Sequence, residues 1–217
     1  TTTDVPDVIN NSWGRANAGF DSVCQAPVVA QALLSVEAAG IANVFSAGNN
    51  GPGPFTIGVP AQVVYDTLNV FCIGALEASN ALAGFSSNGP SRCGNDSLGI
   101  IKPEVSAPGV NIRSADGPTG YGQKSGTSMA SPHVSGAVLL LKEAFPQVSG
   151  RQILNALYQT AQDLGPAGED QLFGRGLIQT DAAFNFLASR FPVQSPANRG
   201  PDLAILGLDS PSVNQLG

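Results

Sequence analysis

Residues 8–11 (VINN) and residues 42–47 (ANVFSA) are two short apolar runs, and residues 27–39 (PVVAQALLSVEAA) lie between them. Each short run ends in small and polar residues, which is typical of a buried strand that leads into a turn. The middle stretch has apolar residues at helical spacing, with Pro27 at its start and Gly40 just past its end. A strand, a helix and a second strand predict a right-handed crossover and therefore a parallel sheet.

Three further helices are expected after this unit. Thr127 is predicted to cap a helix over residues 128–144, which is apolar on nearly every side, the pattern of a helix buried within a domain. Ser149 and Gln152 form a capping-box pattern that opens a second helix. Residues 181–188 predict a third.

The remaining segments are less regular. Residues 69–74 predict a strand, and the turn-rich residues 85–121 predict loops with short strands. Four prolines interspersed with polar residues indicate that residues 191–217 form a linker or the start of a following domain.

The composition excludes several classes of partner. The 217 residues are 42% hydrophobic and only 12% charged, and their net charge is −6. This balance predicts one globular domain rather than a disordered chain. An acidic chain without a Lys/Arg cluster is not expected to bind nucleic acid or an anionic membrane surface. The apolar stretches over residues 28–36 and 136–141 are far shorter than the ~20 residues that a transmembrane helix needs.

Polar side chains follow both predicted strands of the opening unit, at the edge of a parallel sheet where ligands bind. The segment Ser12-Trp13-Gly14 and the segment Ala47-Gly48-Asn49 are therefore expected to be neighbours. Ser128 lies at the start of the long helix, where unpaired backbone amides favour a negatively charged oxygen. A serine at a helix start is, on general grounds, more often a cap than a nucleophile.

Residues 126–133 (GTSMASPH) resemble the nucleophile segment of the subtilisin-like serine proteases. Other matching segments follow in the family's order, at residues 8–14, 46–49, 85–90, 107–109 and 174–177. The resemblance implies an α/β fold, a parallel β-sheet with helices on both faces in three layers. Residues 1–190 would be the carboxyl-terminal part of a catalytic domain.

The same resemblance implies roles for particular residues. Ser128 would be the nucleophile, and Asn49 would stabilise the oxyanion together with the Ser128 amide. The residues that would bind an extended polypeptide substrate are Ser12, Trp13 and Gly14 along its backbone, with Ser46, Ala47, Gly48 and Gly58 around the side chain before the scissile bond. The glycine floor leaves room for large apolar side chains, so we expect broad specificity. Family resemblance and the low charge content also favour a secreted, extracellular enzyme.

A base for the nucleophile is missing from this sequence. His133, the single histidine, lies five residues after Ser128, ~7.5 Å further along the helix axis and facing a different direction. We expect it to be bonded to neighbours on its own helix. In the family the catalytic His and Asp lie upstream of the segment at which this chain begins, so they are expected from an upstream portion of the same domain.

The sequence allows two alternatives to a protease to be considered. One is a non-catalytic peptide-binding fragment that keeps the groove but performs no chemistry. The other is an α/β-hydrolase esterase, which is discounted because its motif needs glycine where this chain has Ala130, and because no histidine follows on a separate loop.

The three cysteines and the acidic residues of one loop allow only limited predictions about disulfides and metal binding. Cys24, Cys72 and Cys93 allow at most one internal disulfide, and one thiol is left over. The acidic residues of a Gly/Pro loop lack the alternating pattern of a calcium-binding loop and are interpreted as surface charges: Asp163, Glu169 and Asp170. No metal ligand is assigned and no cofactor is expected for catalysis, although the family resemblance allows a structural calcium.

Overall fold

The computed structural model describes residues 5–15, 24, 27–64, 68–93 and 100–194. Its main sheet has four parallel strands in the order β1-β2-β3-β4, and a separate antiparallel hairpin is formed by β5 and β6. The strands are β1 (Val8–Asn11), β2 (Ala42–Ser46), β3 (Phe71–Leu76), β4 (Val105–Pro108), β5 (Ile112–Asp116) and β6 (Gly120–Lys124). The helices are α1 (Pro27–Ala38), α2 (Thr127–Ala144), α3 (Gly150–Gln159) and α4 (Thr180–Ala188).

Helices cover both faces of the sheet, as predicted. On one face α2 crosses all four strands, and the apolar side chains of α3 and α4 join the same core. On the other face Leu33 of α1 belongs to a second cluster with Phe45 and Cys72. Successive strand residues point to opposite faces, so Val44 and Phe45 enter different clusters. The predicted α/β fold with a parallel sheet is confirmed.

Strand β3 differs from its prediction because of Gly74. The prediction ended the strand there, but β3 continues through Gly74 to Leu76. A side chain at this position would place its Cβ 2.6 Å from Ser106 Oγ on the neighbouring strand β4. The glycine therefore permits close approach of two paired strands and does not terminate one.

The long helix α2 is not buried all round. Its inner side packs on the sheet, but Leu139 is 50% exposed and Leu140 is 63% exposed. The interpretation of this helix as apolar and buried on nearly every side is therefore wrong for its outer side. Helix α3 has the predicted capping box. The Ser149 side chain accepts a hydrogen bond from the Gln152 backbone amide, and the Gln152 side chain accepts one from the Ser149 backbone amide.

The odd cysteine is Cys72. A disulfide joins Cys24 to Cys93, with 5.2 Å between the two Cα atoms, and Cys72 is a free thiol buried in the sheet. Burial raises the pKa of the Cys72 thiol, which makes it a poor nucleophile.

Removing the disulfide is expected to destabilise the fold. Because the bridge closes a loop of 69 residues, Cys24→Ser/Cys93→Ser should lower the free energy of unfolding by about 2–4 kcal/mol. Urea denaturation measures this loss, and Cys72→Ala is the control that removes a thiol but no bridge. A non-reducing peptide map in which Cys72 is linked to either partner would contradict the assignment.

None of the described helices is long and apolar enough to span a membrane. The predicted linker begins at Phe191, and only its first four residues, 191–194, are within the described part of the chain. The domain division at residue 190 stays a prediction.

Candidate active site

Three segments meet at the carboxyl end of the sheet: the residues after β1, the residues after β2, and the first turn of α2. Ser12 follows β1 and donates a hydrogen bond from Oγ to the backbone oxygen of Ser128, at 2.9 Å. In return Ser128 Oγ donates to the Ser12 backbone oxygen, at 3.3 Å. The predicted nucleophile therefore lies directly against the first predicted substrate-binding segment.

Asn49, which follows β2, lies against the residue that precedes Ser128. Its Oδ1 accepts hydrogen bonds from the Thr127 amide at 2.9 Å and from Thr127 Oγ1 at 3.0 Å. Two donors on one atom identify that atom as the carbonyl oxygen of the amide. Asn49 Nδ2 makes no hydrogen bond to any residue in the described ranges, so this donor is available to a ligand.

A glycine lets Asn49 approach the helix. A Cβ at Gly126 would lie 3.3 Å from Asn49 Nδ2, which is tighter than ordinary contact, and 3.6 Å from Met129 Sδ. Gly126 also donates from its amide to the Gly109 backbone oxygen at 2.8 Å, which ties the start of α2 to the segment after β4. A side chain here would push the Asn49 amide away from the helix start.

Thr127 does not cap α2, so that prediction is wrong. The residue before the helix is Gly126, which has no side chain to cap the helix. Thr127 is instead the first helical residue, fully buried, and its amide is satisfied by Asn49 from a loop 78 residues earlier in the sequence. Local sequence rules consider only neighbouring residues, so they could not find this partner.

The segments proposed as the substrate channel are joined by backbone hydrogen bonds. Arg15 and Val59 exchange two bonds of 2.9 Å, and the Gly58 amide donates to the Ala47 oxygen at 2.8 Å. Residues 12–15 therefore run beside residues 58–60, and residues 47–48 close the third side. A Cβ at Gly14 would lie 3.2 Å from the Val59 oxygen, so a side chain here would push these two segments apart by a few tenths of an ångström.

The remaining channel residues differ in exposure. Ser46 and Ala47 are buried, and Ser46 Oγ donates to the Asn11 oxygen at 3.4 Å. Gly48 has a φ of +110° and a Cβ there would lie 2.9 Å from Ser87 Oγ, so this position requires glycine on both counts. Trp13 is 62% exposed and meets Phe45 edge to face, with 6.4 Å between the ring centroids.

An apolar cavity of about 560 Å³ lies beside Trp13, between β1 and α1. Its described lining includes the apolar residues Ile9, Leu33 and Phe45 and the charged residue Arg15. The described lining contains no acidic residue. Because β1 is an edge strand, its outer backbone edge has no partner among the described residues.

The single histidine is bonded on its own helix, as expected. His133 Nδ1 lies 2.8 Å from the Met129 backbone oxygen, so this nitrogen carries the proton and donates it. The exposed His133 ring and Ser128 line one cavity of about 300 Å³. The two residues thus share an opening, but the bonded nitrogen holds the ring toward Met129.

The acidic residues of the loop between α3 and α4 have protein partners. Asp163 accepts from the Gly168 amide, Asp170 accepts from the Leu172 and Phe173 amides, and Glu169 accepts from the Tyr158 hydroxyl. Within the described part of the chain, no group of three His, Cys, Asp or Glu side chains is arranged to hold a metal. A structural calcium stays a prediction that rests on the resemblance.

The chain is similar to known proteins over most of its length. Residues 3–176 match the subtilase family. Subtilisin DY from Bacillus licheniformis is 37% identical over 179 residues, covering 82% of this chain and 56% of that protein. Bacillopeptidase F from Bacillus subtilis (strain 168) is 40% identical over 182 residues, covering 80% of this chain and 12% of that protein. Subtilisin Savinase from Lederbergia lenta is 35% identical over 174 residues, covering 80% of this chain and 57% of that protein.

A solved structure shares the fold as well. The prenylagaramide maturation protease PagA superposes with a TM-score of 0.67 at 25% identity, over 83% of this chain and 62% of that chain. The chain spans a little more than half the length of the two subtilisins that it matches. With a family match over most of its length and identities of 35–40% to three members, the chain belongs to the subtilase family.

Proposed function

We propose that this chain carries the nucleophile, the oxyanion hole and the substrate channel of a serine endopeptidase. Ser128 Oγ attacks the carbonyl carbon of a peptide bond, the amine leaves with a proton, and water then hydrolyses the acyl-enzyme. The observation that supports this most directly is the position of Asn49, whose amide oxygen is bonded to Thr127 while its NH₂ group has no partner among the described residues.

The oxyanion hole consists of two donors from different segments. Asn49 Nδ2 supplies one hydrogen bond, and the Ser128 amide in the first turn of α2 supplies the other. The helix dipole favours the same negative charge. Both donors are held in place before the reaction, so little reorganisation is needed as charge develops on the oxygen.

The substrate binds as an extended strand beside residues 12–14. Backbone hydrogen bonds of this kind do not distinguish side chains. The residues assigned to the pocket before the scissile bond, namely Ser46, Ala47, Gly48 and Gly58, include no carboxylate to select Lys or Arg. We therefore propose broad specificity with tolerance for large apolar or aromatic side chains.

The base comes from an upstream portion of the same catalytic domain. A serine is a weak nucleophile without a base, and the single histidine of this sequence is bonded to Met129. The outer edge of β1, unpaired among the described residues, and the apolar cavity beside Trp13 suit such a portion.

Labelling with a serine-directed fluorophosphonate tests the proposal. In the chain assembled with its upstream portion, one adduct should form and map to Ser128. The chain alone should label very slowly, because no base removes the proton. An adduct that maps to another residue of this chain would refute the assignment of the nucleophile.

Removing the oxyanion donor should slow the reaction without weakening substrate binding. Asn49→Ala is expected to lower kcat by about 10²–10³-fold, the loss established for such a donor in a subtilisin, with little change in KM. Steady-state kinetics on a peptide substrate measures both values. Equal losses in kcat and in binding of a non-hydrolysable peptide would argue against a role specific to the transition state.

A non-catalytic peptide-binding fragment is the second candidate, and it is favoured by the absence of a usable base in this sequence. Such a fragment needs neither Ser128 nor the unpaired Asn49 donor. The intact masses of the purified material and any partner chains separate the two functions, because an upstream piece that travels with this chain supports the enzyme.

We also propose secretion, which the family resemblance and the Cys24–Cys93 bridge support.

A further inference from the structure

We infer that Asn10 is a positioning residue that holds the substrate-binding segment, residues 12–14, against the first turn of α2. This inference rests on the proposed function of that segment and of Ser128. Asn10 lies in β1, where Val8 packs against the core on the α2 side and Ile9 lines the cavity on the α1 side. Because successive strand residues point to opposite faces, Asn10 faces α2.

The side-chain amide of Asn10 is hydrogen-bonded at both of its ends. Its Oδ1 accepts from Ser131 Oγ of α2 at 2.5 Å, and Ser135 Oγ lies 3.2 Å from the same oxygen. Its Nδ2 donates to Ser12 Oγ at 2.9 Å. Ser12 Oγ is an acceptor in that bond, so its single proton is donated to the Ser128 backbone oxygen, at 2.9 Å. This chain of bonds, the Asn10 relay, leaves α2 at Ser131 and returns to it at Ser128.

The nucleophile has anchors that do not involve the Asn10 relay. The start of α2 is held by the two hydrogen bonds that Asn49 accepts from Thr127. It is also held by the bond from the Gly126 amide to the segment after β4. Loss of Asn10 should therefore leave Ser128 and its oxyanion donors in place.

Residues 12–14 depend on the relay more directly. Beyond their far end, Arg15 exchanges two backbone hydrogen bonds of 2.9 Å with Val59. At the end nearest the nucleophile, the Ser12 hydroxyl links the segment to Asn10 and to α2. The relay therefore sets how far an extended substrate beside residues 12–14 lies from the attacking oxygen.

This role has a particular kinetic signature. An extended peptide uses its pairing with residues 12–14 to direct the scissile carbonyl at Ser128, so a displaced segment should lower the rate of the chemical step. An ester of a single amino acid has no further residues to pair with that segment. The ester should therefore be nearly insensitive to the relay, whereas a general loss of structure would slow both substrates.

The test is Asn10→Ala in the chain assembled with its upstream portion. With a peptide that has four residues before the scissile bond, kcat/KM should fall about 10–50-fold, mainly through kcat, and with the ester less than about threefold. Asn10→Asp has nearly the same shape and keeps an acceptor for Ser131 but has no amide donor for Ser12. It should show the same difference between the two substrates. Asn185→Ala, which removes an exposed asparagine of α4, is the matched control and should leave both rates unchanged.

A double variant tests whether Asn10 acts through Ser12. In a Ser12→Ala background, Asn10→Ala should have almost no further effect on the peptide, because the hydroxyl that it holds is gone. Fully additive losses in the double variant would overturn the inference. Equal losses on the peptide and on the ester would also overturn it, since they would show a structural role alone.

A second measurement separates this inference from the proposed function. Amide hydrogen exchange at Arg15 should become faster in Asn10→Ala and stay unchanged in Asn185→Ala, whether or not Ser128 is the nucleophile. Failure of fluorophosphonate labelling in the unsubstituted protein would refute the proposed function alone. Unchanged exchange at Arg15 in both Asn10→Ala and Asn10→Asp would refute the positioning role alone.

Discussion

Ser128→Ala is expected to reduce kcat by about 10⁶-fold in the chain assembled with its upstream portion, the loss known for the nucleophile of a subtilisin. The reason is that only Ser128 combines a hydroxyl, a helix-start amide and the Asn49 donor. Substrate binding should change little, because the channel segments at residues 12–15, 47–48 and 58–60 hold each other through backbone hydrogen bonds. Peptide hydrolysis under saturating substrate measures kcat, and a non-hydrolysable peptide measures binding.

His133→Ala is the matched control for this experiment. His133 lines the same cavity as Ser128, but its Nδ1 is bonded to Met129, so the substitution should affect stability and leave most of the hydrolysis intact. If His133→Ala instead abolishes hydrolysis in a folded protein, the base lies within this chain and the proposed upstream origin is wrong.

Lys102→Met is expected to lower the free energy of unfolding by about 3–5 kcal/mol, because it leaves a buried carboxylate without its counter-ion. Lys102 Nζ lies 2.6 Å from Glu104 Oε1, and their side chains are 0% and 3% exposed. Lys102 also donates to the Val70 oxygen at 2.6 Å, and Glu104 Oε2 accepts from the Cys72 amide at 2.7 Å. The pair therefore joins β3 to the chain that enters β4.

The pH dependence of this loss has a definite sign. Burial raises the pKa of Glu104 from 4.5 to about 7, although Lys102 opposes the shift. A carboxyl group whose pKa is higher in the folded state than in the unfolded state stabilises the folded state at a pH below its unfolded pKa. That stabilisation is lost as the pH rises through the folded-state pKa. Without Lys102, the charged form of Glu104 becomes even less favourable in the folded state. The loss caused by Lys102→Met should therefore be larger at pH 8 than at pH 5.

Urea denaturation at both pH values tests this expectation. The double substitution Lys102→Met/Glu104→Gln keeps an acceptor for the Cys72 amide but removes the charge. It should recover at least half of the stability lost in Lys102→Met and most of its pH dependence. A double variant as unstable as Lys102→Met at both pH values would show that the buried charge is not the cause.

The sequence by itself determined the backbone plan, because that plan depends on local patterns. The apolar runs at residues 8–11 and 42–47, with a helical period between them, were sufficient to predict parallel strands and a crossover helix. The capping box at Ser149 was also visible, since both of its partners lie within one turn. The segment at residues 126–133 was specific enough to identify the family.

The tertiary structure alone decided which distant groups became partners. Thr127 is a residue type that commonly caps a helix, yet its amide and hydroxyl bind Asn49, 78 residues away. The pairing of Cys24 with Cys93, and the bonds of Lys102 to Val70 and of Glu104 to Cys72, likewise join segments that no periodicity relates. Hydrogen bonds and ion pairs of this kind depend on the direction and distance of side chains in space. Spacing along the chain therefore does not predict them, whereas it does predict strands and helices.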